Sequence, residues 1–191
     1  MPPGSAQLET AQPGALDHIV ERIRSQQRLG REVPGFDPDN GNEKARFLFL
    51  LEAPGPMAVK SGIISLKNND QSARNFSKQL HAAGVEPQDI ALWNVVPWYL
   101  GTAQQTNVRA ATGHDVRQAL LYLTEVVKAI PKLKCIVLVG GAARRAHIWL
   151  SQQTTARILS CYHPSPKVQN AVPGAAEENI AIFQYMLATS K

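Results

Sequence analysis

The chain has 191 residues, 44% of them hydrophobic, and a formal net charge of +5 at pH 7. That length supports one sizeable core and is short for two, and the modest basic excess favours an acidic partner, of which nucleic acid is the commonest. No apolar run reaches the roughly 18 residues of a membrane span. The only cysteines, Cys135 and Cys161, lack the paired spacing of a zinc site and are too few for a disulfide framework.

Met1 to Gln12 carries neither a basic region nor an apolar segment of signal type, so an intracellular, cytoplasmic protein is expected. Pro2, Pro3, Gly4, Pro13 and Gly14 mark residues 1–14 as a tail preceding one domain at 15–191. Leu16, Ile19, Val20 and Ile23 then recur at helical spacing, in a helix expected to end near Gly30. The Pro/Gly/Asp/Asn-rich stretch from Val33 to Asn42 leads into the apolar run Arg46–Leu51, the pattern of a buried parallel strand. Further strands are expected at Ile90–Val95, Cys135–Val139 and Ile158–Cys161. They alternate with helices at Asp70–Ala83, Asp115–Ile130, Ala142–Gln153 and Ala175–Ala188. Such alternation argues for an α/β fold, a parallel sheet covered by helices on both faces.

Open α/β sheets bind ligands at the carboxyl edge of their strands. Three strands here run into polar tips at that edge. Phe47–Leu51 leads to Glu52-Ala53-Pro54-Gly55-Pro56, Ile90–Trp93 leads to Asn94, and Ile158–Cys161 leads to His163-Pro164-Ser165. Gly140-Gly141 fits neither a dinucleotide fingerprint nor a P-loop and reads as a tight strand-to-helix turn.

These motifs, in this order, resemble the uracil-DNA glycosylase superfamily, whose first motif reads roughly Gly-Glu-Ala/Gly-Pro-Gly and whose last reads His-Pro-Ser. The resemblance covers about residues 46–187. It implies a three-layer α/β/α fold on a short parallel four-stranded sheet, and a monofunctional glycosylase that flips uracil, or another deaminated base, out of DNA and leaves an abasic site. A monomer without metal or cofactor is expected. One branch of the family carries an iron-sulfur cluster on four cysteines, which this chain cannot supply, although its Glu-Ala-Pro-Gly motif is closest to that branch.

The resemblance also distributes roles. His163, as a neutral imidazole, would donate to uracil O2 as negative charge develops there, and donors of this kind contribute ~3 to 4 kcal/mol. His18, His81, His114 and His147 have no comparable setting. Asn94 would read N3–H and O4 of uracil with one planar amide and mismatch cytosine, although an Asn after a strand also serves as a turn residue. Glu52 either orients water and stabilises the sugar cation, or caps turn amides; both readings stay open.

Three positions depart from relatives. Ala53 and Gly55 stand where the best-known branch has a water-orienting Asp and a thymine-excluding Tyr. Ser65 stands where relatives stack an aromatic ring on the base, a contact worth ~1 to 3 kcal/mol. Leu66, Ile64, Phe76 or Trp98 would have to compensate, Phe76 being at the same time a core position of its helix. Ser165, Lys167 and the amides of Gly140 and Gly141 suit DNA phosphates, and Arg144, Arg145 and Arg157 could add to them. Where relatives insert a Leu wedge this chain has Lys167-Val168-Gln169, so the wedge is either the Lys stem with Val168 or absent, and a weak wedge predicts relatively good use of single-stranded DNA. Two other readings compete: a non-catalytic binder of uracil-DNA or abasic sites, and a hydrolase of small nucleotides.

Overall fold

The computed structural model describes residues 13–26, 30–102 and 108–190. The expected tail lies almost wholly outside them. Four strands, β2 (Phe47–Leu51), β4 (Ile90–Asn94), β5 (Cys135–Val139) and β6 (Arg157–Cys161), form an all-parallel sheet in the order β4-β2-β5-β6. Every residue of β4 and β5 is buried, as expected of strands covered on both faces. The arginine-led β6 is one of the two edge strands and is more exposed than β4 at the other edge.

A second, two-stranded parallel sheet pairs β1 (Gly35–Phe36) with β3 (Ile63–Ile64). Phe36 stacks flat on Trp93, with ring centroids 4.2 Å apart, and so ties this small sheet to β4. Strands of two residues carry no readable alternation, and the sequence gives no sign of them.

Helices α3 (Gln71–Ala83) and α7 (Ala175–Ala188) pack together on one face, and α1 (Ala15–Gln26), α4 (Gly113–Lys128) and α5 (His147–Gln153) on the other. The result is the expected three-layer α/β/α arrangement. Phe49 of β2 meets Phe76 of α3 and Phe183 of α7 edge-on, each at 5.5 Å, which fills the first interface with aromatic rings. Leu16, Ile19, Val20 and Ile23 bury the inner stripe of α1, as their spacing requires.

Element boundaries explain themselves locally. The Asp70 side chain caps α3 by accepting from the Ala73 N–H, and Gly84 ends that helix at φ +78°. Thr112 and Asp115 form a reciprocal capping box on α4. Arg109 grips the same Asp115 through both carboxylate oxygens, and that hydrogen-bonded cation, with Thr112, holds the carboxyl well below the usual range.

The single helix expected over Ala142–Gln153 divides into a 3-10 turn at Ala143–Ala146 and α5. The chain leaves β5 through Gly140 at φ +86°, and Arg145 N–H closes a tight bond to the Ala142 carbonyl. Two short helices were not anticipated: α2 (Pro56–Ser61), entered from Gly55 with proline at its start, and α6 (Pro166–Ala171), capped by Ser165.

The strands end in step. Leu51 pairs with Asn94, Leu50 with Leu138, and Val139 with Cys161. The residues that follow them therefore emerge together at one edge. Past the last β2–β4 pair the backbone bonding continues, Val95 N–H to Leu51 O at 2.8 Å and Val96 N–H to Glu52 O at 2.9 Å.

Candidate active site

A cavity of about 440 Å³ opens at this carboxyl edge, beneath α2 and β3 and beside the start of α3. Its size falls within the range of small-molecule sites. Leu51, Leu92, Phe76 and Pro164 give it an apolar wall, into which Asn94 and His163 are set. The structure thus brings together the ends of β2, β4 and β6.

His163 is fixed from several directions. Tyr162, just before it, has its backbone N–H and C=O both held by the side chain of Asn179 on α7, at 2.8 and 3.0 Å. Asn179 in turn donates to Gln79 of α3 at 2.9 Å. On the other side, Ser165 N–H donates to His163 Nδ1 at 3.2 Å. An Nδ1 that accepts leaves the ring proton on Nε2, so the imidazole is a neutral donor. Burial pushes the His163 pKa below its ordinary value, opposed by the negative charges of Glu52 and Asp70. Gly140 makes room for the ring: a Cβ there would lie 3.0 Å from His163 Cβ, on a backbone already at φ +86°.

Asn94 is 2% exposed, and its Nδ2 has no hydrogen-bond partner among the described residues. A buried donor without an acceptor is costly and marks a group waiting for a ligand. The amide stands in the cavity wall with its donor uncommitted.

The remaining base-contact candidates divide. Ala53, Gly55, Ser65, Ile64 and Leu66 all line the cavity. A Cβ on Gly55 would meet no atom within 4 Å, so that position is open space. The Ser65 hydroxyl is committed: it donates to the buried Asp37 carboxylate and accepts from Lys67 N–H. Phe76 serves the core and the cavity wall at once. Trp98 is not part of that wall; it is buried edge-on to Tyr122 under Arg31, which removes it as a stacking partner.

Glu52 stands beside the cavity rather than in its wall. Its Oε1 accepts from Ala111 N–H at 2.6 Å, while Arg145 donates to the Ala111 carbonyl at 2.6 Å. Of the two readings of Glu52, this geometry is that of a carboxylate satisfying loop amides, here from a segment distant in sequence.

The phosphate candidates are also sorted by the structure. Gly140 N–H is spent on the Cys161 carbonyl at 2.9 Å, so it is not available to a phosphate. Gly141 is exposed at the entry to the 3-10 turn. Ser165 uses its oxygen to cap α6, and Lys167 is exposed on the first turn of that helix. Arg144 reaches toward the Cys161 carbonyl at 3.5 Å. Arg157 begins β6, at the opposite end of the sheet, where it binds Thr189 and lies over Tyr185; it cannot share a phosphate with the His163 edge.

The two thiols are buried, with burial pushing Cys135 up to about 11 and Cys161 up to about 12. Cys135 starts β5, whereas Cys161 ends β6 opposite Val139. Two unreactive thiols at opposite sheet edges do not fit an iron-sulfur cluster.

Sequence reasoning missed the Gln79–Asn179 pair and Asp37. Their only signal was a polar residue on an otherwise apolar helical face or beside a buried strand, a pattern that does not say which backbone group it serves.

Among the described residues no helix is long and apolar enough to cross a membrane. No curated protein matches the chain. It is similar in fold to the solution NMR structure of a "putative Uracil DNA glycosylase" from Methanosarcina acetivorans. The TM-score is 0.56 at 15% identity, over 82% of this chain and 98% of that one. The model of the uracil DNA glycosylase superfamily matches residues 38–185, a span that contains every strand of the main sheet and all the cavity's polar tips. The chain therefore belongs to the uracil DNA glycosylase superfamily.

Proposed function

We propose that the protein is a DNA glycosylase that receives a flipped-out uracil in the 440 Å³ cavity, hydrolyses its N-glycosidic bond and leaves an abasic site. The observation that carries this reading is the pairing, in one apolar wall, of an unpartnered Asn94 amide with a neutral, Nε2-protonated His163. Asn94 Nδ2 donates to O4 of uracil and its Oδ1 accepts from N3–H. Cytosine offers the reverse pattern and leaves buried polar groups unpaired, which is where steep rejection arises.

As the bond between C1′ and the base breaks, its electron pair moves into the ring and gathers on O2. His163 Nε2–H then donates to an oxygen more negative than in the ground state, so the bond strengthens along the reaction and lowers the barrier. A neutral donor is also suited to the low-dielectric setting, since burial disfavours the imidazolium.

Open space at Gly55 and a committed Ser65 leave the face and C5 edge of the base to Phe76, Ile64 and Leu66, a looser enclosure that admits other deaminated bases. Ser165 O–H, Gly141 N–H and Lys167 are the phosphate contacts. Glu52 braces the loop through Ala111 and contributes negative charge near the sugar.

Incubation of the protein in excess over end-labelled oligonucleotides carrying one uracil, single- and double-stranded, followed by alkali and a gel, tests this. Cleavage that His163→Ala and Asn94→Ala both reduce at least a hundredfold is expected. Retained binding of uracil-DNA without cleavage would make the protein a non-catalytic binder.

A further inference from the structure

Resting on the glycosylase reading, hydrolysis also requires a group that aims a water at C1′; Ala53 has no side-chain acceptor, and Glu52 stands outside the cavity wall. The geometry points to Asp70 as this catalytic carboxylate. Asp70 lines the same cavity as His163 and Asn94. One of its oxygens, Oδ1, accepts from Ala73 N–H at 2.8 Å, which locks the carboxylate at the start of α3. No hydrogen bond reaches Oδ2 among the described residues, so a strong acceptor is presented at a fixed place with free valence. Its charge is felt by the imidazole of His163, which places it near the group that serves the leaving base.

Among the described residues the other carboxylates near the site stand outside the cavity wall. Glu52 is anchored through Oε1 on Ala111 N–H, as Asp70 is through Oδ1, but it does not line the cavity. Asp37 serves Ser65 and Asp39 N–H, and does not line the cavity. Asp70 alone among them both lines the cavity and keeps a carboxylate oxygen without a hydrogen bond.

The step balances without a co-reactant. The C1′–N bond breaks and leaves its electron pair on the base. Water oxygen bonds to C1′, and one water proton passes to Asp70 Oδ2. That proton then leaves to solvent or to the released base, which restores the carboxylate. The products are the neutral base and an abasic sugar. Before attack, the same negative charge favours the oxocarbenium-like sugar.

The cap role and the catalytic role can be separated, because Asn and Ser cap helices about as well as Asp. Asp70→Asn and Asp70→Ser are expected to unfold near the wild-type temperature. They should bind an oligonucleotide carrying 2′-fluoro-2′-deoxyuridine, a glycosidic bond that resists cleavage, within about threefold of wild type. Their single-turnover excision of uracil is expected to fall at least about 10²-fold, the span of a lost general base. A smaller fall, or a loss of binding that matches the loss of rate, overturns the assignment. A Glu52→Gln protein that loses more rate than Asp70→Asn transfers the role to Glu52 and also overturns it. If the wild-type protein excises nothing, the glycosylase reading itself fails and Asp70 fails with it. Excision by wild type with fully active Asp70→Asn sinks only Asp70.

Discussion

At the scale of single residues, the site is recognisable by what it leaves unfinished. A buried amide donor without an acceptor costs about 1–3 kcal/mol, and Asn94 Nδ2 is in that state. Asn94→Ala removes that cost along with the amide. Its urea midpoint is expected to stay at or above that of wild type while uracil excision collapses, a divergence that denaturation curves and single-turnover assays on one preparation will show. Gly140 is the opposite case, a residue whose value lies in having no side chain. At φ +86° with His163 Cβ 3.0 Å from where a methyl would sit, Gly140→Ala should cost about 1–3 kcal/mol and displace the imidazole. Excision measured well below the new melting temperature should still be slower than wild type.

At the scale of elements, His163 is reached through a chain of supports, from α3 through Gln79, α7 through Asn179, to the backbone of Tyr162. Asn179→Ala strips partners from a partly buried backbone N–H and C=O and should destabilise by about 2–4 kcal/mol, since each orphaned group costs about 1–3. Urea unfolding checks the stability. A rate of excision that falls further than binding of the 2′-fluoro oligonucleotide would show that the strand end, and not just the core, has shifted. Here the limits of the sequence are physical. The strand–helix alternation and the tips Asn94 and His163 were legible because apolar runs and strand-end motifs are local patterns. Asn179 and Gln79 lie 100 residues apart, and nothing in either neighbourhood names the other. Asp70 was legible as a helix start and not as a cavity wall, because the same carboxylate does both and only the packing of α3 against the sheet edge reveals the second role. The stacking candidate Trp98 and the phosphate candidates Gly140 and Arg157 were lost for the same reason: their partners are set by tertiary position.

At the scale of the molecule, burial of the His163 ring couples folding to pH. Its folded-state pKa is lowered, while the unfolded chain titrates near the ordinary value of about 6.5. Below that value the unfolded state takes up a proton that the folded state resists, so stability is full above about pH 6.5 and declines as pH falls toward the folded value. Urea unfolding at pH 7.5 and 5.5 should therefore show a larger loss for wild type than for His163→Gln, the exposed histidines contributing equally to both. Protonation would also break the Ser165 N–H bond to Nδ1, so excision should fade over the same acidic range.

The cavity has two kinds of wall. Asn94 and the Glu52 motif ride on adjacent strands whose backbone bonding continues past the last pair of the ladder. Ala58, Ile64 and Leu66, by contrast, come from α2, the two-residue β3 and the turn after it. Substitution in the second set reshapes the cavity without disturbing the register that aims the first. On the glycosylase reading, a scaffold divided in this way can change its diet while its chemistry stays in place, so the route to a different damaged base runs through the short segment between Pro56 and Leu66.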